Sequence, residues 1–158
     1  MESKGVILGR AAMSVGRICQ RDVDIVGPND SVLTAAERMR QRTVGCLVVV
    51  EQGQRPVGII TDRDLVIRVV ADERNPAATT VAEVMTKFPD LVNDDTPIET
   101  ALGMMRRRAF RRLPVIDKTG QLAGLVTLDD ILMLLAEEFM QIGDLLGRET
   151  PQAAAVAG

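Results

Sequence analysis

The feature that most constrains this chain is a repeat that runs through most of its length without a gap. Gly58-Ile59-Ile60-Thr61 returns 66 positions later as Gly124-Leu125-Val126-Thr127. At that offset residues 14–65 align with 80–131, with 13 identities in 52 pairs. Among them are Asp24/Asp90, Ala35/Ala101, Met39/Met105, Leu47/Leu113, Thr61/Thr127 and Asp64/Asp130. Other pairs keep apolar character, as in Val32/Ile98 and Val50/Ile116. Unrelated segments do not hold register this long, so the chain is a tandem duplication and its fold is built twice. A single copy is too small to bury its faces well, so the two copies are expected to pack on each other.

Each copy carries the same local pattern. A short extended stretch, Asp24-Ile25-Val26 or Asp90-Leu91-Val92, precedes a helix. In the second copy Thr96 is the expected N-cap, with Pro97 at the first helical position and Glu99 closing a capping box. Ile98, Ala101, Leu102 and Met105 then recur at helical spacing and mark the buried face. In the first copy Asp30 is the expected cap and Val32, Ala35, Ala36 and Met39 form the stripe. Two apolar runs follow, Leu47 to Val50 and onward to Thr61, or Leu113 to Ile116 and onward to Thr127. The polar turns Gln52-Gly53-Gln54 and Lys118-Thr119-Gly120 divide them, which predicts a hairpin of buried strands. A second helix opens at Asp62, reaching about Ala71, or at Leu128. The fold class is therefore α+β, two β-α-β-β-α repeats with strands facing helices. The first repeat is placed at 10–72, a polar linker at 73–79, the second repeat at 80–140, and a helical extension with a frayed, Ala-rich tail at 141–158.

Composition narrows the chemistry. The chain has no His, Trp or Tyr, which removes Ser–His and Cys–His nucleophiles. Two distant cysteines do not make a usual zinc site, and three Phe do not make a base-stacking platform. No paired-carboxylate constellation stands out, so neither an enzyme nor a required cofactor is expected. The net charge of −3 argues against a general nucleic-acid surface. No apolar run reaches the roughly 18 residues of a membrane helix, and the start lacks a signal-peptide pattern. A cytoplasmic protein is the expectation, with Cys19 and Cys46 as buried free thiols.

The repeat pattern, the Gly-apolar-apolar-Thr-x-x-Asp motif in both copies, and Leu113-Pro114-Val115-Ile116-Asp117 resemble a tandem pair of cystathionine-β-synthase (CBS) domains, or Bateman module, over about residues 10–140. The resemblance implies two pseudo-twofold-related repeats with two clefts between them. It also implies a homodimer and an adenine nucleotide (AMP, ADP or ATP) or another adenosyl compound as ligand. The matching Asp of that family binds ribose and the matching Thr contacts ribose or phosphate, which transfers to Thr61, Asp64, Thr127 and Asp130. The adenine side of the clefts maps to Asp24 with Val44 and Gly45, and to Asp90 with Phe110 and Arg111. Val48 stands where the second copy has Pro114, a departure from the family pattern.

The Thr-x-x-Asp pattern has a local reading too. Threonine before a helix with an acid three positions on is a capping box. A strand that runs into a helix N-terminus also offers N–H groups and a positive dipole end to phosphate, and a carboxylate there can accept from ribose hydroxyls. The copies differ around this motif. Arg111 and Arg112 replace Gly45 and Cys46, and Asp62 replaces Leu128. A cation aids a phosphate and a carboxylate opposes it, so the two clefts are expected to differ in affinity, with one of them empty as an outcome. The run Arg106-Arg107-Arg108, with Arg111 and Arg112, reads as a solvated helix end whose cations suit the C-terminal dipole, with contact to a nucleotide phosphate as the alternative. The apolar series Ile131 to Leu135, continued by Phe139, Ile142, Leu145 and Leu146, extends past the repeat and suggests a self-association or partner-docking helix. A regulatory ligand sensor is the leading reading, and a ligand-free dimerisation scaffold is the alternative.

Overall fold

The computed structural model describes residues 13–52, 54–87 and 90–149. The outer ends of the expected boundaries, 10–12 and 150–158, and Gly53 of the first turn lie outside the described residues. The first repeat consists of β1 (Ile25–Val26), α1 (Val32–Arg42), β2 (Cys46–Glu51), β3 (Arg55–Thr61) and α2 (Asp62–Leu65), which continues as a π-helical turn over Val66–Val70. After the linker come α3 (Val81–Val84) and β4 (Thr86–Lys87). The second repeat follows as β5 (Val92–Asn93), α4 (Ile98–Arg108), β6 (Arg112–Ile116), β7 (Leu122–Thr127) and α5 (Leu128–Glu149). One sheet has the order β1-β2-β3-β4 and the other β5-β6-β7. In each, a short strand pairs in parallel with the hairpin, and the hairpin register shifts at the same place, Val49/Val50 and Val115/Ile116.

The apolar stripes are buried except at their edges, where Ala36 and Leu102 are only partly covered. Val32, Ala35 and Met39 of α1 pack with Leu47, Val49 and Ile60 in one core, and Ile98, Ala101 and Met105 of α4 pack with Leu113, Val115 and Val126 in another. Each core also holds a residue from the other copy. Val15 fills the second core, and Val81 and Val84 fill the first. The exchange is reciprocal in its hydrogen bonds. Val15 N donates to Thr96 O at 2.9 Å, and its equivalent Val81 N donates to Asp30 O at 2.8 Å. Gln20 bridges to Leu125 of β7, and its equivalent Thr86 in β4 pairs with Ile59 of β3. The segment that leads each repeat is thus built into the other, which interlocks the two.

Two glycines make this crossing possible. A Cβ on Gly58 would lie 2.5 Å from Met85 Sδ and 2.9 Å from Thr86 O, and one on Gly124 would lie 2.7 Å from Cys19 Sγ and 2.9 Å from Gln20 O. The repeated Gly-apolar-apolar-Thr motif therefore begins with the residue that lets the exchanged backbone lie against β3 or β7.

The same crossing corrects two expected helix starts. Ser31, not Asp30, caps α1, accepting from Thr34 N at 3.1 Å, while the Asp30 carboxylate accepts from Gly27 N at 2.8 Å. Thr96 does not cap α4; its hydroxyl accepts from Asn93 N at 2.9 Å, and Pro97 stands at the N-cap without a side-chain bond. Backbone from the leading segments satisfies the first N–H of each helix, beside the Ser31 cap at α1 and in place of a side-chain cap at α4. Val32 N donates to Thr79 O and Ile98 N to Met13 O, both at 2.9 Å.

Both α1 and α4 end on a left-handed residue, Thr43 (φ 56°) and Ala109 (φ 55°). That turn redirects the chain so that Val44-Gly45 and Phe110-Arg111 enter the space between the repeats. Helix α5 runs 22 residues, about 33 Å at 1.5 Å per residue, and exposes Leu132, Leu135, Phe139, Ile142 and Leu146 along it. No helix of the described residues is long and apolar enough to cross a membrane.

Candidate functional site

Thr61 and Thr127 each close a strand and open a helix, and both form the capping box read from the sequence. Thr61 N and Oγ1 donate to Asp64 Oδ2 at 2.9 and 2.8 Å, and Asp64 N returns a bond to Thr61 Oγ1 at 3.3 Å. Thr127 N and Oγ1 donate to Asp130 Oδ2, both at 2.7 Å, and Asp130 N returns a bond to Thr127 Oγ1 at 3.1 Å. One oxygen of each carboxylate is thereby committed to the helix. The other differs between copies. Among the described residues Asp64 Oδ1 has only a loose ion pair with Arg68, at 3.5 Å, whereas Asp130 Oδ1 accepts from Gln20 Nε2 at 3.3 Å.

The two clefts are assembled across the repeats. The first, with a cavity of about 550 Å³, brings Thr61, Asp62, Arg63 and Asp64 of one repeat against Asp90, Phe110, Arg111 and Arg112 of the other. The second, of about 270 Å³, brings Thr127 and Asp129 against Asp24, Val44, Gly45 and Cys46, with Gln20 and Arg112 at its wall. Of the sequence-derived site residues, all but Asp130 line one of these cavities. Asp130 is reached through Thr127 and Gln20. A larger hollow of about 870 Å³ lies elsewhere, beside Gly27, Asp30 and Lys87, and includes no Thr or Asp of the repeated motif.

Asp24 and Asp90 are already engaged. Arg42, in the last turn of α1, binds Asp24 at 2.7 Å and Asp22 at 2.8 Å. Its repeat equivalent Arg108 binds Asp90 at 3.1 Å. Asp22 and Asp24 in turn hold the Arg42 guanidinium above its ordinary pKa. These pairs fix the approach to each short parallel strand and leave less of the two carboxylates for a ligand. Arg108 is thus partly an ion-pair partner; the rest of the 106–108 run is exposed, as a solvated helix end should be.

Arg111, Arg112 and Asp62, read from the sequence as distinguishing one copy from the other, come together in the first cleft, and Arg112 reaches the wall of the second as well. Asp62 Oδ1 there accepts from Arg63 N at 2.7 Å. Sequence reasoning missed Arg63, Asp129 and Gln20. The signal for the first two was present, because Arg63 and Asp129 occupy the same position of the repeat with opposite charge. The thiols correct another expectation. Cys46 is buried, and burial pushes its thiol up to about 11, but Cys19 is only partly buried. Among the described residues no group of three or more Cys, Asp or Glu is placed to hold a metal ion.

Comparison with known proteins agrees with this architecture. The family model described as "CBS domain" matches twice, at residues 15–71 and 81–137. An uncharacterized protein of Methanopyrus kandleri is 37% identical over 78% of this chain, which spans 63% of that protein's length. Among solved structures, the CBS-pair protein CBSX2 of Arabidopsis thaliana superposes with a TM-score of 0.72 at 26% identity, covering 82% of this chain and 98% of that one. The hexameric CBS-CP12 protein of bloom-forming cyanobacteria gives a TM-score of 0.68 at 28% identity, covering 77% of this chain and 67% of that one.

Proposed function

The chain belongs to the CBS-domain family of regulatory modules, and from that premise we propose that it is a non-catalytic sensor of an adenine nucleotide or another adenosyl ligand. The observation that carries this reading is the composite cleft. A Thr–Asp pair at a helix start faces the apolar and cationic edge of the opposite repeat across a cavity of about 550 Å³, within the usual range for small-molecule sites. Because the walls come from different repeats, a bound ligand would bias the angle between them. The size of that bias is limited by the ligand's differential affinity for the two arrangements.

A homodimer and a cytoplasmic setting belong to the same proposal. Leu132, Leu135, Phe139, Ile142 and Leu146 of α5 alternate at spacings of three and four, the seam of a helix that packs along another. Val66, Ile67 and Val70 add a second exposed apolar face. The hexameric relative is a precedent for assembly within the family.

Calorimetric titration with AMP, ADP, ATP, NAD and S-adenosylmethionine tests the sensor. Saturable binding of at least one supports it, and absence of both heat and competition for all five refutes it. The completeness of the capping boxes favours one other reading, a ligand-free scaffold, since Thr61, Asp64, Thr127 and Asp130 have structural work without a ligand. In a scaffold, Asp64→Ala and Asp130→Ala would cost only cap energy, about 0.5–2 kcal/mol each, with no change in the response to any nucleotide.

A further inference from the structure

The two clefts are unlike in a consistent direction. In the first, Arg63 and Arg111 line the cavity and neither side chain has an ion-pair partner among the described residues. Their repeat equivalents in the second are Asp129 and Gly45. At these two positions one cleft offers guanidinium groups where the other offers a carboxylate and no side chain, while Arg112 lines both. Of the carboxylates in the first, Asp90 is paired with Arg108. Asp62 is bonded to a backbone N–H at the start of α2, where the helix dipole offsets its charge.

Size and vacancy point the same way. The first cavity has twice the volume of the second, about 550 against 270 Å³; the smaller falls below the common range for ligand sites. Phe110, 41% exposed, presents an aromatic face to the first cleft where the second has Val44. Asp64 Oδ1 makes only the long contact to Arg68 and can take a hydroxyl donor, whereas a ligand at Asp130 must first displace Gln20.

Resting on the nucleotide reading above, we propose that the Thr61/Asp64 cleft is the only one of the two that takes the ligand, and that Arg63 and Arg111 make it selective for a phosphorylated adenosine over the bare nucleoside. Phe110 packs on the base, Asp64 accepts from the ribose, and the two arginines bind the phosphate with charge-assisted hydrogen bonds. In the second cleft Gln20 already occupies Asp130, and Asp129 opposes a phosphate and offsets Arg112.

Calorimetry on the full chain with ADP and with adenosine, repeated on the double variant Arg63→Ala/Arg111→Ala, decides this. Both arginines are exposed, and a thermal melt checks that the variant folds. The expected result is one ADP per chain, adenosine weaker by at least about tenfold, and an ADP preference that collapses toward one in the double variant. Two ADP per chain, equal binding of ADP and adenosine by the wild type, or an undiminished preference in the variant would overturn the proposal while leaving the sensor reading intact. No binding of any adenosyl compound would remove both.

Discussion

Replacing Gly58 with alanine tests whether the repeats are interlocked as described. The new Cβ would sit 2.5 Å from Met85 Sδ and 2.9 Å from Thr86 O. The Met85 side chain can swing away, but the Thr86 carbonyl belongs to β4, which pairs with β3 at Gly58 and Ile59. The backbone must then separate. Overpacking of this kind costs about 1–3 kcal/mol, and a weakened ladder bond adds about 1 kcal/mol. The expected loss is about 2–4 kcal/mol, a fall in melting temperature of about 4–16 °C for a chain of this size. Urea denaturation followed by circular dichroism measures it. Gly103→Ala on α4 is the matched control. The only atom within 4 Å of its new Cβ is the end of a flexible side chain, Arg107 Nη1, at 3.5 Å, so alanine should stabilise by up to about 1 kcal/mol through helix propensity. If Gly58→Ala stayed within about 0.5 kcal/mol of wild type, the crossing of β4 over β3 would not be as tight as stated, and the interlock argument would fail.

Other outcomes follow from the same geometry. Thr127→Val removes the hydroxyl that both donates to and accepts from Asp130, and should cost about 0.5–2 kcal/mol in ligand-free protein; an unchanged urea midpoint would contradict the cap. Under native conditions a thiol reagent should modify Cys19 and spare Cys46 until the chain unfolds, since the Cys46 thiol is held protonated by burial. The same shift makes stability fall as pH rises from 9.0 toward about 11. In that window the unfolded chain has released the proton and the folded chain retains it, a difference on the order of 2–3 kcal/mol; a flat alkaline limb in Cys46→Ala and an equally flat one in wild type would show that the thiol contributes nothing. Phe139→Glu with Leu146→Glu places charge on the exposed seam of α5 and should convert a dimer to a monomer in light scattering; an unchanged mass would move the interface elsewhere.

What the sequence made legible was whatever depends on neighbours along the chain. The Thr61 and Thr127 caps involve residues three apart, and the stripes of α1 and α4 repeat with the helix period, so both could be read directly. At α1 the cap falls to Ser31, next to the expected Asp30, and at α4 no side chain caps; both helices also receive backbone partners from residues 47 and 85 positions away, Thr79 and Met13. No local pattern reports that. The exchange of leading segments was hidden for a related reason, because Val15 and Val81 keep the repeat register whichever copy they pack on. The same crossing assembles each cleft from two repeats, so residues grouped by copy in the sequence, such as Asp24 with Thr61, end in different clefts. The charge reversal at Arg63/Asp129 was visible in the alignment but carried no weight until the fold placed both at cleft mouths.

An adenosyl ligand seated in a cleft built from both repeats would touch residues of each. Backbone NMR of the full chain during titration with ADP reads those contacts residue by residue. Saturable shifts are expected at Thr61, Arg63 and Asp64 of one repeat and at Phe110 and Arg111 of the other, with one common affinity. Shifts confined to a single repeat, centred on the hollow near Gly27 and Lys87, or absent at saturating ADP would contradict that placement.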